Sequence, residues 1–300
     1  MTRVSQASLP LRSRDGLQRL RVRRLHVAAL FATLAMAGCQ TVTGGQTPES
    51  EDNLYAASPA NIASLTGVVQ RNPNDPQAYN MRGSVFGQAG RNDDALTDFN
   101  KALQIDPNYA QAYANRGLIY RQTNKTDLAL ADYNRAIELD ANYSVAYLGR
   151  GIVHRQRGRA LDAFNDFNKA IQIRPDNAQA YYNRGLLYQS QKQHQFAIDD
   201  FSTAIGLAQN EANSFIARAL SYMSINDFKS AADDLDGAVG AEPQNLQAWT
   251  SRGLAYERLG DKEKSAGSYA RALNIKQDHD AAKQGFARVG GSMGRTYQTF

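Results

Sequence analysis

Histidine and cysteine, the side chains most often used for metal binding and nucleophilic catalysis, are scarce in this chain. They are limited to His26, His154, His194, His279 and a single cysteine, Cys39. No group of them has the spacing of metal ligands, and neither a P-loop nor a Gly-x-Gly-x-x-Gly sequence occurs. We therefore expect no catalytic activity, no metal or other cofactor, and no small-molecule substrate. Cys39 and a recurring arginine remain to be explained.

Cys39 directly follows a short apolar stretch. Residues 25–38 read LHVAALFATLAMAG and are preceded by Arg23 and Arg24. A helix needs about 20 apolar residues to span a bilayer, so this stretch is too short. Basic, apolar and small residues in that order are the layout of a secretory signal peptide. Residues 1–38 are therefore predicted to be a signal, and a start of translation at Val22 leaves a compact one.

The four residues from Met36 to Cys39 resemble the bacterial lipobox, usually Leu-Ala-Gly-Cys, with methionine in place of leucine. The resemblance implies that Cys39 is diacylated on its sulfur, that the peptide is cut just before it, and that the new amino group is acylated. These acyl chains would anchor the chain to a membrane. Gln40 in the next position implies outer-membrane sorting, by the rule known for enteric bacteria. A plain signal peptide with an incidental cysteine is the alternative. Residues 39–57 are predicted to be the lipidated cysteine and a flexible tether.

The positive charge of the chain belongs to its first segment. The formal net charge is +5, but seven arginines and one aspartate precede Cys39, which leaves −1 for the rest. Neutralising phosphates requires a basic excess. We therefore expect no nucleic-acid partner.

An arginine recurs every 34 residues in the remaining chain, at Arg82, Arg116, Arg150, Arg184, Arg218 and Arg252. An aspartate follows the first five of these arginines after 16 residues, at Asp98, Asp132, Asp166, Asp200 and Asp234. The pairs are either a repeated ligand site or a structural ion pair across each hairpin. We favour the structural role, because a ligand rarely needs the same contact at every step.

Each arginine lies in a segment that begins with an aromatic residue and places a small residue four positions later. These segments begin at Tyr79, Tyr113, Tyr147, Tyr181, Phe215 and Trp249. Spacings of three, four and seven residues place the large side chains on one helical face. The pattern resembles the tetratricopeptide repeat (TPR), with arginine at a position where leucine is usual. The resemblance covers residues 76–279 and implies an all-α, right-handed α-solenoid of six helical hairpins.

Both ends of the repeat array have segments suited to covering it. Residues 58–71 match only the second half of a repeat. Residues 58–75 are therefore predicted to form an N-terminal capping helix with Ser58 as its N-cap. Residues 280–288 are predicted to form a C-terminal capping helix. The glycine-rich residues 289–300 are predicted to be a mobile tail.

In TPR solenoids the first helix of each hairpin lines the concave wall, and the family's ligands usually bind there. The corresponding residues here are Leu118, Arg121, Leu148, Ile152, Arg155, Tyr182, Leu186 and Gln189. A wall of apolar residues, amides and arginines suits an extended peptide or a helix. We expect Arg121 and Arg155 to lie side by side, as part of a binding site or as solvated wall residues. The lysine that chaperone-binding repeats use for a terminal carboxylate is replaced in every repeat.

The order of signal, lipobox, tether and repeats is similar to that of outer-membrane TPR adaptor lipoproteins of enteric bacteria. Those proteins serve a periplasmic protease and peptidoglycan hydrolases. The resemblance implies a non-enzymatic scaffold that is lipid-anchored at Cys39, faces the periplasm and binds other envelope proteins through its concave wall. A pilotin-like assembly factor for a secretin or pilus is one alternative, and an envelope enzyme is another.

Overall fold

The computed structural model describes residues 57–209, 211–292 and 294–297. Cys39, the signal, most of the tether and residues 298–300 lie outside these ranges. The described residues form 14 α-helices and no strand. The helices are α1 (Pro59–Arg71), α2 (Pro76–Gln88), α3 (Asn92–Ile105), α4 (Ala110–Gln122), α5 (Thr126–Leu139), α6 (Ser144–Gln156), α7 (Ala160–Ile173), α8 (Ala178–Ser190), α9 (His194–Leu207), α10 (Ala212–Ser224), α11 (Phe228–Ala241), α12 (Leu246–Leu259), α13 (Lys262–Ile275) and α14 (Asp280–Arg288).

The helices pack as six consecutive hairpins, from α2–α3 to α12–α13. Each second helix also contacts the first helix of the next hairpin. First helices of neighbouring hairpins touch one another, whereas second helices have far fewer such contacts. The first helices therefore line the inner, concave side of the stack. This packing confirms the predicted α-solenoid.

A residue with left-handed backbone geometry reverses the chain inside every hairpin. These residues recur every 34 positions, at Gly90, Asn124, Gly158, Lys192, Asn226 and Gly260, with φ between 59° and 82°. The next residue donates its N–H to a carbonyl five positions back, as in the 2.8 Å bond from Arg91 to Phe86. Glycine and asparagine suit this helix ending because they adopt positive φ at low cost.

Small residues let the two helices of a hairpin approach closely. A Cβ added to Gly185 would lie 2.7 Å from the ring of Phe201, which is fully buried. In the fifth repeat the small residue is larger and the large residue is smaller. Ala219 replaces the glycine, Leu235 replaces the aromatic ring, and both are fully buried. The two sizes vary together because protein interiors are packed nearly without voids.

Single helices cover both ends of the array. Ser58 accepts a 3.2 Å hydrogen bond from the Asn61 N–H at the start of α1, and α1 packs on α2. Helix α14 packs on α12 and α13. In the described part of the tail, the Tyr297 ring lies 5.9 Å from that of Phe286. No helix in the described ranges is long and apolar enough to cross a membrane.

Candidate protein-binding groove

Five of the recurring arginines form bidentate ion pairs with the aspartates 16 residues later, as predicted for the structural role. In each pair, Nε and Nη2 donate to the two carboxylate oxygens at 2.6–2.9 Å. For Arg150 and Asp166 the side chains are only 22% and 7% exposed. The hydrogen bonds to Asp166 raise the pKa of Arg150 above its ordinary value. We call these arginines, together with Arg252, the arginine ladder.

The ladder also joins neighbouring hairpins. The Nη1 atom of Arg116 donates to Asn100 of the preceding hairpin at 2.6 Å, and that of Arg150 to Asn134 at 2.8 Å. Each ladder guanidinium also lies 5.4–6.0 Å from the aromatic ring three residues earlier on its own helix. A ladder arginine thus contacts two hairpins, and the ladder is part of the fold.

The sixth repeat moves the negative charge to the neighbouring hairpin. Ser268 stands where the other repeats have aspartate, and it accepts a 2.7 Å hydrogen bond from Arg252 Nη1. The carboxylate is instead Asp236, 16 residues before the arginine, which accepts from Arg252 Nε at 2.5 Å. Tyr256 donates its hydroxyl to the same carboxylate at 2.9 Å. Burial and this hydrogen bond raise the pKa of Tyr256 to about 12.

His154 occupies an aromatic position beside the ladder and is 8% exposed. Its Nε2 lies 3.8 Å from the Asp166 carboxylate, and its buried Nδ1 has no hydrogen-bond partner among the described residues. Burial lowers the pKa of His154 below its ordinary value, which Asp166 offsets in part. His154 therefore belongs to the hairpin interior.

Arg121 and Arg155 lie on the same first helices as Arg116 and Arg150 but have no carboxylate partner in the described ranges. The Nε atoms of both are buried without a hydrogen bond to a described residue. Arg155 Nη2 donates to the Asn183 side chain at 3.4 Å. Burial lowers the pKa of Arg155, Tyr182 raises it in part, and the nearby charge of Arg121 lowers it further. The charge of Arg121 is thus near enough to disfavour the charge of Arg155.

The first helices that line the concave wall also carry an apolar residue at the same position in five successive repeats. These residues are Leu118, Ile152, Leu186, Leu220 and Leu254. All five are at least partly exposed. We call this row the apolar stripe, and the concave wall that carries it with Arg121 and Arg155 the groove. Leu220 and Leu254 were not among the predicted wall residues, although the same 34-residue spacing points to them.

Two clefts lie along the groove on either side of the two arginines. One, of about 270 Å³, is lined by residues of α2 and α4 that include Asn115 and Leu118. The other, of about 430 Å³, is lined chiefly by α10 and α12 and includes Leu220, Met223 and Leu254. The groove therefore has a partly apolar cleft on each side of the two arginines, and Arg258 also lines the second cleft.

Several of the other predicted wall residues also make contacts between or within the hairpins. Leu148 and Ile152 pack against the buried residues of the third hairpin. Tyr182 lies 5.8 Å from the ring of Phe201, and Gln189 donates 2.9 Å hydrogen bonds to α10. These residues shape the groove and also hold its wall together.

The described residues contain no cluster of three or more His, Cys, Asp or Glu side chains arranged to hold a metal. Residues 290–294 have the Gly-x-Ser-x-Gly spacing of a hydrolase nucleophile elbow. Such an elbow sits between a strand and a helix, whereas this segment follows α14. The main chain of Ser292 bonds to the Tyr297 hydroxyl. Nothing in the described structure points to an enzyme.

Solved structures share this fold. A chain of the APC/C hetero-tetramer Cut9–Hcn1 matches with a TM-score of 0.68 and 17% identity over 78% of this chain and 46% of its own. This chain thus spans less than half of that one. Pseudomonas aeruginosa PilF matches with a TM-score of 0.65 and 20% identity over 71% of this chain and 97% of its own.

A third structure is YrrB, described as a TPR protein with an unusual peptide-binding site. It has a TM-score of 0.53 and 24% identity, over 62% of this chain and 96% of its own. At these identities the likeness shows the fold alone. No curated protein matches the chain closely enough to count as a relative.

Family profiles match the repeats directly. A TPR repeat profile matches residues 83–123 and 153–192, and a tetratricopeptide repeat profile matches 110–143 and 178–211. A second tetratricopeptide repeat profile matches residues 216–282. Together these matches extend over more than half of the chain. The chain therefore belongs to the tetratricopeptide-repeat family and is a protein-interaction scaffold.

Proposed function

We propose that this protein is a lipid-anchored adaptor of the bacterial envelope that holds other envelope proteins in its groove. Cys39 anchors it to the outer membrane, and the repeats face the periplasm. Its partners are envelope enzymes such as peptidoglycan hydrolases and proteases, or factors that assemble envelope machines. The lipobox resemblance, which lies outside the described residues, supports the location.

The groove is the observation that carries the binding role. The apolar stripe continues through five repeats at one structural position, and apolar clefts open along it. Extended peptides and amphipathic helices bind such surfaces through regularly spaced apolar side chains. Tandem repeats suit this role because they build one long continuous surface.

Capture from solubilised envelopes tests the groove. The full-length protein is compared with a Leu118→Asn/Leu220→Asn variant and with Leu161→Asn, which changes a 72% exposed leucine on the outer helix α7. The partner should bind the wild type and Leu161→Asn but not the groove variant. Equal capture by all three proteins would show that the groove is not the binding surface. Identifying the captured protein separates enzymes from secretin or pilus components.

Metabolic labelling with a palmitate analogue tests the anchor. The wild type should take up label and partition with membranes, and Cys39→Ser should do neither. Equal labelling of both would show that Cys39 is not the lipid attachment site. The groove experiment remains informative in that case, because it does not depend on the anchor.

A further inference from the structure

We infer that Arg121 and Arg155 form a carboxylate-binding site at the centre of the groove. The ligand is an acidic residue of a partner peptide whose apolar side chains lie on the apolar stripe to either side. This inference rests on the proposed use of the groove as an interaction surface.

The groove has positive charges without matching negative ones. Helices α2, α4, α6, α8 and α10 contain no aspartate or glutamate. The only acid on α12, Glu257, is already paired with Arg288 of α14 at 2.7 Å. Within the described structure, neither Arg121 nor Arg155 forms an ion pair with a carboxylate. Glu211, just before α10, acts on Tyr182 but is not among the charges that act on Arg155. An acidic ligand complements this surface, whereas a basic one is repelled.

Unused hydrogen-bond donors accompany the unbalanced charge. A buried donor without a partner costs about 1–3 kcal/mol, so such atoms call for an explanation. Here the same atom, Nε, is buried and unpaired in both arginines. On the ladder, Nε is one of the two atoms that grip a carboxylate, as in the 2.8 Å bond from Arg116 to Asp132. The groove arginines thus leave unpaired the donor that their ladder counterparts use, and because this atom is buried the side chain must turn to present it to a ligand.

One carboxylate of a ligand can bind both arginines if it lies between them. They occupy equivalent positions in adjacent repeats, and the charge of Arg121 disfavours that of Arg155. A carboxylate between them relieves this repulsion and satisfies the planar forks, which suit bidentate binding of carboxylates. The clefts on either side, one around Leu118 and one around Leu220, accept the neighbouring apolar side chains.

Peptide selection tests the inference without knowledge of the natural partner. A phage library of random 12-residue peptides is selected on the full-length protein in detergent. Enriched peptides should carry Asp or Glu next to apolar residues. The best peptide is then synthesised with its acid and with the corresponding amide, and the binding of each is measured by fluorescence anisotropy.

The wild type should bind the acidic peptide about 30-fold more tightly than the amide, the range expected for a well-made charge pair. In Arg121→Gln/Arg155→Gln this preference should fall to within about threefold. The control Arg135→Gln changes a 43% exposed arginine of α5 and should keep the full preference. Circular dichroism and thermal melting verify that all variants are folded.

Three results would overturn the inference, and they differ in what they leave standing. If the wild type does not prefer the acidic peptide over its amide, or if the double variant keeps that preference, the carboxylate site is wrong but the groove can still be the binding surface. Peptides that bind Leu118→Asn/Leu220→Asn as well as they bind the wild type remove the groove too. If only a variant with Glu49, Glu51 and Asp52 changed to glutamine selects peptides, the occupant is the chain's own acidic segment rather than a partner.

Discussion

Helices α4 and α6 each carry two arginines five residues apart. On each helix, one arginine is paired with an aspartate and the other is not. Arg116 and Arg150 face the second helices and grip aspartates, and the hydrogen bonds to Asp166 raise the pKa of Arg150. Arg121 and Arg155 face the groove without a carboxylate, and burial lowers the pKa of Arg155. Five residues correspond to about 1.4 helical turns, so the second arginine points to a different side. The same residue type thus stabilises the fold on one side and, in our proposal, binds a ligand on the other.

Removing a ladder carboxylate should have the largest effect on stability. Asp132→Ala leaves Arg116 as an uncompensated charge in a site where the aspartate is 8% exposed. We expect a loss of about 3 kcal/mol in the free energy of unfolding, measured by urea denaturation. Arg121→Gln on the same helix loses at most a hydrogen bond to the buried Tyr133 hydroxyl and should lower it by no more than about 1 kcal/mol. Equal losses in both variants would erase the distinction between the two arginine sets.

The sixth repeat allows the ladder to be broken and rebuilt. Asp236→Asn removes the carboxylate that pairs with the fully buried Arg252 and should cost about 2 kcal/mol. Adding Ser268→Asp restores the arrangement of the other five repeats and should recover most of the loss. Urea denaturation of the single and double variants measures both steps. A double variant less stable than Asp236→Asn would show that the sixth hairpin is built around its own charge placement.

Neutralising Arg155 should leave stability unchanged or raise it. Arg155→Met keeps an apolar stem and removes a charge that burial and Arg121 disfavour. We expect the free energy of unfolding to rise by up to about 1 kcal/mol. Arg150→Met, one and a half turns away on the same helix, should lower it. Thermal melting of the two variants side by side makes the comparison, and a clear loss in Arg155→Met would assign that arginine a structural role.

The smallest expected effect is a pH dependence at His154. Its pKa is lowered in the folded state by burial, and the charges that face it are Asp166, Asp162, Arg150 and Arg159. Because the unfolded chain then binds the proton more readily, stability should be lost as pH falls through about 6.5 towards the lower folded pKa. In His154→Tyr, which restores an aromatic residue used by other repeats, the loss between pH 7 and 5 should be smaller. Melting temperatures of both proteins across this range measure the effect.

Much of the fold was predictable because it depends on local spacing. The 34-residue period, the small residue at Gly185 opposite the ring of Phe201, and the Arg150–Asp166 pair all follow from which residues share a helical face. The lipid anchor and the partner class stay predictions, since Cys39 lies outside the described residues. The groove residues stay predictions as binding residues, and their accessibility could not be read from spacing. Gln189, for example, is held by bonds to α10.

The sequence by itself determined the helices, their order and the side of each helix that faces its own hairpin. It did so because helical periodicity assigns every residue to a face, and because one 34-residue unit repeats without insertion. Only the tertiary structure decided which charges meet across hairpins. Arg252 pairs with the carboxylate of Asp236, because Ser268 stands where other repeats have aspartate. Arg121 and Arg155 form no ion pair in the described structure. Such choices depend on distances between helices of different repeats, which spacing along the chain does not contain.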